Sequence, residues 1–165
     1  MNILVTGSSG LVGSSLSRYL SLKGHTLKAL VRRAPENPSQ ILWDPMSRGP
    51  EPESLAGIDA VVHLAGESIA AGRWTEARKK AILDSRVLGT RHLCDSLARM
   101  KQPPKVLISA SAIGYYGDRG QERLNEDSAA GHGFLAEVSK AWEAETAPAR
   151  AKGISVVHLR FGIIL

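Results

Sequence analysis

A short apolar strand that runs directly into three regularly spaced glycines limits what this chain can become. Ile3, Leu4 and Val5 are consecutive apolar residues within Asn2-Ile3-Leu4-Val5-Thr6, the pattern of a strand covered on both faces. The strand meets Gly7-Ser8-Ser9-Gly10-Leu11-Val12-Gly13, after which Leu16, Leu20 and Leu22 recur near helical spacing until Gly24. In a strand-turn-helix context each glycine has a task. Gly7 permits the tight turn, Gly10 lets backbone approach a diphosphate at the helix N-terminus, and Gly13 lets helix pack on strand. The free amides of the loop, from Gly7 through Ser8, Ser9 and Gly10 to Leu11, Val12 and Gly13, are the expected phosphate donors.

Further strands are expected at Thr26 to Val31, Gln40 to Trp43, Ala60 to Leu64, Val106 to Ile108 and Ile154 to Leu159. Helices are expected from Trp74 to Met100 and from Phe134 to Ala151. Pro35 to Gly57 reads as connection. Strands alternating with helices imply right-handed crossovers and an α/β fold, a Rossmann-type doubly wound parallel sheet spanning residues 1–165. Arg160 to Leu165 closes the sequence at or just after a strand, without a covering helix. The expectation is a chain truncated after its sixth strand, with a substrate domain missing, or an edge that a partner covers.

The end of the second strand chooses between cofactors. NAD enzymes place a carboxylate about 20 residues beyond the glycine loop to accept from the ribose 2′-hydroxyl. Here Val31-Arg32-Arg33 stands instead. A guanidinium pairs with a 2′-phosphate that a carboxylate repels, so NADP(H) is the expected cofactor; the alternative is two solvated surface arginines. The fourth strand ends in Leu64-Ala65-Gly66-Glu67, small residues that leave room for ribose and diphosphate. His63 reads as a packed or capping histidine, and Asp44 as an adenine acceptor or a turn residue.

Bulk properties narrow the class. The net charge of +5 comes from 21 Lys and Arg interspersed with 16 acids, with no basic block, which suits a phosphate-bearing small molecule better than nucleic acid. Cys94 is the single cysteine and reads as a buried helical thiol. No apolar run reaches membrane-spanning length, and no signal peptide precedes the first strand, so a soluble cytoplasmic protein with no membrane partner is expected.

Several segments together carry a family resemblance: the glycine loop, Leu64-Ala65-Gly66-Glu67, Arg73-Trp74, Ser85-Arg86-Val87-Leu88-Gly89-Thr90, Ser109 through Gly117, and Ala141-Trp142-Glu143. In this order they resemble the extended short-chain dehydrogenase/reductases. More narrowly, they resemble the atypical epimerase-family branch labelled nucleoside-diphosphate-sugar epimerase or cell-division inhibitor. The resemblance implies an oxidoreductase or epimerase acting on a hydroxyl/keto centre of a small-molecule substrate, such as a sugar nucleotide. It also implies possible pairing of two copies through the long helices.

Ordinary members use a serine, and a tyrosine four residues before a lysine, to move the proton. By the resemblance Ser111 matches the serine and Lys140 the lysine, but the tyrosine position is Ala136, which cannot transfer a proton. Tyr115 or Tyr116 is then the candidate acid, or Glu67 through water; the alternative is that both tyrosines only shape the pocket wall. Without a tyrosine partner Lys140 is equally a solvated helix lysine. Arg86 replaces the usual helix asparagine, where its charge is expected to lie near the cofactor diphosphate. Arg73-Trp74 is expected to cap its helix, with Trp74 anchoring it to the sheet. A second function follows from Ala136: a non-catalytic, NADP(H)-sensing regulatory module.

Overall fold

The computed structural model describes residues 1–164. Leu165, the last residue of the terminal run, lies outside the described residues. Six parallel strands are β1 (Asn2–Thr6), β2 (Thr26–Val31), β3 (Gln40–Leu42), β4 (Ala60–His63), β5 (Val106–Ala112) and β6 (Ser155–Phe161). Four helices are α1 (Leu11–Leu22), α2 (Glu76–Arg99), α3 (Phe134–Ala144) and α4 (Ala147–Ala151). The strands lie in the order β3-β2-β1-β4-β5-β6, so the expected doubly wound sheet is present.

Side chains alternate across the sheet and divide the core in two. Ile3, Val5, Ala60 and Val62 face α1 through Leu16 and Leu20. Leu4, Val61 and Leu107 face the other way, against Leu93 and Leu97 of α2 and Ala149 of α4. Covering both faces is what allowed the near-continuous apolar runs of β1 and β4.

Most bounds lie within two residues of the sequence expectation, and two elements depart further. β5 continues past Ile108 through Ser109-Ala110-Ser111-Ala112, because each of these small residues pairs in register with β6, Ser111 opposite Arg160. The expected single helix from Phe134 to Ala151 is broken between α3 and α4. Pro148 lacks an amide hydrogen for the helical ladder, and the Thr146 hydroxyl donates to the Glu143 carbonyl at 2.8 Å as the chain turns. Among the described residues no helix is long and apolar enough to cross a membrane.

Candidate functional site

β1 and β4 are neighbours, with Thr6 opposite His63, although α1 leaves β1 toward one face while α2 covers the other. At this reversal of strand order a crevice of about 680 Å³ opens at the carboxyl edge. It is lined by Gly7 to Gly10, Leu30 to Ala34, Leu64 to Glu67, and Trp43, Pro45 and Ser85. Three sequence segments thus converge on one cavity.

The glycine turn is a cradle that side chains would fill. Gly7 has φ +69°, and a Cβ there would lie 2.9 Å from the Ala65 nitrogen and the Leu64 carbonyl. A Cβ on Gly13 would collide with the Gly7 carbonyl oxygen, so α1 sits on the turn only because residue 13 has no side chain. Gly10 is the N-cap of α1 and carries no capping side chain. The Ser14 amide makes the first helical bond, to Gly10 at 2.9 Å. The amides of Leu11, Val12 and Gly13 therefore have no helical acceptor, and the positive end of the helix dipole faces the turn. A diphosphate fits this donor set.

Behind the cradle lies a buried polar chain. The Thr6 hydroxyl oxygen accepts the amides of Leu64 and Ala65, each at 3.1 Å, and stands 2.7 Å from Nδ1 of His63. With its oxygen already accepting two amides, the hydroxyl donates to Nδ1. The proton of the neutral ring is then on Nε2, which donates to Thr90 Oγ1 at 2.9 Å. Burial pushes the His63 pKa down to about 4, so the imidazole is neutral. His63 is thus a packed histidine that also joins the phosphate turn, the carboxyl end of β4 and α2.

At the far end of the crevice Arg32 and Arg33 are exposed, and neither has a hydrogen bond or ion pair among the described residues. Asp44 takes the turn role, since its Oδ1 accepts the Met46 amide at 2.9 Å. The neighbouring Trp43, buried with its Nε1 donating to the Arg48 carbonyl, lines the cavity instead.

Arg86 lies directly behind Gly66, its Cζ 3.3 Å from where a Cβ would be. Its Nη1 donates to the carbonyls of Glu67 and Ile82, and its guanidinium lies 5.0 Å from the Trp142 ring centre. Burial lowers its pKa. Glu67 is held by Arg78 Nη1 at 3.0 Å, and Arg78 also bonds the Ser68 carbonyl.

Three of the four expected catalytic residues gather elsewhere, around an ion pair that sequence reasoning did not single out. Arg160 donates through Nε and Nη2 to both oxygens of Glu143 at 2.9 and 3.0 Å. Ser111 Oγ donates to Glu143 Oε1 at 2.6 Å. Arg160 Nη1 donates to the Tyr116 hydroxyl at 2.8 Å and the Glu126 carbonyl at 3.1 Å, and Cζ lies 3.6 Å from the Tyr115 ring centre. Burial works against the Glu143 carboxylate, but the hydrogen bonds from Arg160 and Ser111 prevail and hold its pKa below the usual range. Ser111 is 2% exposed and does not line the crevice. Lys140 is exposed, without a hydrogen bond or ion pair among the described residues, while Ala136 is buried. The structure thus brings Ser111, Tyr115 and Tyr116 together and leaves Lys140 apart. A charged residue two positions after His158 inside β6, a strand paired along its length with β5, was the one signal that could have flagged Arg160.

Arg73-Trp74 also departs from expectation. Thr75 is the N-cap of α2, its side chain accepting from the Arg78 amide. Trp74 is 41% exposed and meets Phe134 of α3 edge-on at 5.6 Å between ring centres. Its ring packs on the start of α3 rather than on the sheet.

Comparison with known proteins agrees with this geometry. The NAD dependent epimerase/dehydratase family profile matches residues 3–161. An epimerase family protein of Mycobacterium bovis, Mb2239, is 41% identical over 163 residues, covering 99% of this chain and 54% of its own length. The structure of a nucleoside-diphosphate sugar epimerase from Corynebacterium glutamicum superposes with a TM-score of 0.83 at 43% identity, over 97% of this chain and 33% of that one. Human epimerase family protein SDR39U1, solved with NADPH, gives a TM-score of 0.87 at 30% identity, over 100% of this chain and 55% of that one. The chain spans about half the length of the curated relatives it matches. With its glycine cradle, its strand order and a match along nearly all of its length, this chain belongs to the NAD dependent epimerase/dehydratase family.

Proposed function

We propose that this chain forms the NADP(H)-binding part of an oxidoreductase or epimerase that acts on a hydroxyl/keto centre. The observation that carries the reading is the pair of guanidiniums, Arg32 and Arg33, unpaired among the described residues and lining the same crevice as the Gly7–Gly10 turn. The turn and the α1 amides would hold the diphosphate, and Arg32 and Arg33 the 2′-phosphate. When bound, the cofactor would accept hydride in its oxidised form and donate it in its reduced form. The NADPH in the human relative supports the choice of cofactor, and the name of the Corynebacterium relative makes a nucleoside-diphosphate sugar one candidate substrate.

Titration with NADPH and with NADH tests the reading. NADPH is expected to bind within the micromolar range and NADH at least tenfold more weakly. Equal affinities would remove the assignment of Arg32 and Arg33, and absence of binding would remove the function.

A second reading, an NADP(H)-sensing module without turnover, is favoured by Ala136 and by Ser111, whose proton is already committed to Glu143. The two separate on incubation of the NADPH-loaded protein with candidate keto substrates. Cofactor oxidation, or substrate epimerised with no net change in the cofactor, supports the enzyme, and tight binding with neither supports the sensor.

A further inference from the structure

β2 and β3 end side by side. Val31 pairs in register with Leu42, and the amide of Trp43 donates to the Val31 carbonyl at 2.8 Å, so Arg32 and Trp43 leave the sheet as neighbours on adjacent strands. Both line the crevice, as does Pro45. In NADP(H) the 2′-phosphate and the base are attached to adjacent carbons of one ribose, so the group that holds the phosphate confines the base to its own neighbourhood. With the phosphate at Arg32 and Arg33, the neighbouring wall is Trp43 and Pro45.

The polar atoms of this wall are spent on the protein itself. Trp43 Nε1 donates to the Arg48 carbonyl at 2.9 Å, and the Pro45 carbonyl stands 2.9 Å from Nδ1 of His92 on α2. From behind, Pro45 Cβ and Trp43 Cη2 lie 3.4 and 3.9 Å from where a Cβ on Gly89 would be, so α2 backs both rings. Asp44 Oδ1 accepts the Met46 amide at 2.9 Å, and Asp44 is not among the residues lining the crevice. Gln40 lines the same end, but its amide oxygen accepts the Glu36 amide at 2.8 Å, leaving a donor that cannot pair with an amino group. Glu36 lines it too and is exposed, where water competes for its carboxylate. An apolar wall discriminates weakly between analogues of one shape, whereas a site built to bond a polar edge rejects an analogue that lacks it by orders of magnitude.

We propose that Trp43 and Pro45 form the adenine subsite and hold the base by apolar contact with its ring, leaving the amino group at C6 unread. The proposal rests on the NADP(H) reading and deepens it. Selectivity for the nucleotide resides in the 2′-phosphate at Arg32 and Arg33, and the base contributes contact area alone.

The test is calorimetry of the chain with NADPH and with deamino-NADPH, in which hypoxanthine replaces adenine. The two are expected to bind within threefold of each other. Asp44→Asn, which keeps the oxygen that accepts the Met46 amide, is expected to leave both affinities within threefold of the native chain. In the NADPH-saturated native chain, magnetisation transfer is expected between the adenine H2 or H8 proton and the Trp43 ring, whose resonances are assigned through its backbone. Deamino-NADPH bound more than threefold more weakly than NADPH shows that the base edge is read, and so does an Asp44→Asn loss confined to NADPH; either overturns the proposal. Saturation with NADPH and no transfer to Trp43 overturns it as well. If NADPH does not bind at all, the cofactor reading falls and the subsite with it, whereas NADPH binding accompanied by any of the other failures removes the subsite alone.

Discussion

The Thr6 hydroxyl joins two strands that meet at the crevice, accepting two amides from the end of β4 and standing 2.7 Å from Nδ1 of His63. Replacing it with the near-isosteric valine leaves the Ala65 amide and Nδ1 without this partner, while the Leu64 amide keeps the Thr6 carbonyl at 3.2 Å. Thr6→Val is expected to cost about 2–4 kcal/mol in urea unfolding, from these buried polar groups at roughly 1–3 kcal/mol each with partial relaxation. Thr6→Ser is expected to restore most of it.

His63 makes stability depend on pH in a defined direction. Its pKa is about 4 in the folded protein against 6.5 when unfolded, so between those values the unfolded chain binds more protons. This contribution is fully present above pH 6.5 and is lost as the pH falls toward 4, amounting to about 3 kcal/mol at 1.36 kcal/mol per unit. Unfolding midpoints measured from pH 7.5 to 4 are expected to fall, and a nitrogen spectrum of the ring at neutral pH is expected to show the proton on Nε2.

The role proposed for Arg32 is to read the cofactor through charge. Arg32→Ala is expected to reduce the ratio of NADPH to NADH affinity by about tenfold or more, since a hydrogen bond to a charged group contributes about 1.5–3 kcal/mol. NADH affinity itself is expected to stay within twofold. An unchanged ratio assigns the 2′-phosphate to another group.

At Gly13, a methyl group runs into the Gly7 carbonyl. Gly13→Ala is expected to push α1 off the turn, destabilising the protein by about 1–3 kcal/mol and lowering affinity for both cofactors alike. Calorimetry of the two cofactors distinguishes this uniform loss from the selective one at Arg32.

Glu143 is the anion on which Arg160 and Ser111 converge. Glu143→Gln leaves the mostly buried guanidinium without its counter-charge, and a loss of about 3–5 kcal/mol is expected in urea unfolding. A loss under 1 kcal/mol would show that solvent reaches the pair freely.

How much was legible in the sequence follows from how local each feature is. β1, its glycine turn and α1 span 21 residues, and turn chemistry, strand pattern and helical period all act within that span, so the observed bounds coincide with the expected ones. β5 was read too short because Ser109 to Ala112 carry no strand signal of their own; their partner is β6, more than 40 residues away. Separation along the chain also hid the second cluster. Glu143 and Arg160 lie on different elements, and their pairing exists only once α3 is laid across β5 and β6. Trp74 was misplaced for a related reason, since a large aromatic beside a helix start reads as an anchor wherever the loop before it leads.

Strand order also has a consequence for the order of events during synthesis. β1 is the first strand made, yet it lies in the interior of the sheet between β2 and β4, so its second edge stays open until residue 63 has emerged. A ribosome-bound chain shorter than about 65 residues can pair β1 with β2 but has no floor for the crevice, because Leu64 and Ala65 do not yet exist to reach Thr6. The nucleotide site is therefore among the earlier long-range structures available to the growing chain, and the Ser111–Glu143–Arg160 cluster is the last, completed only when β6 closes the edge.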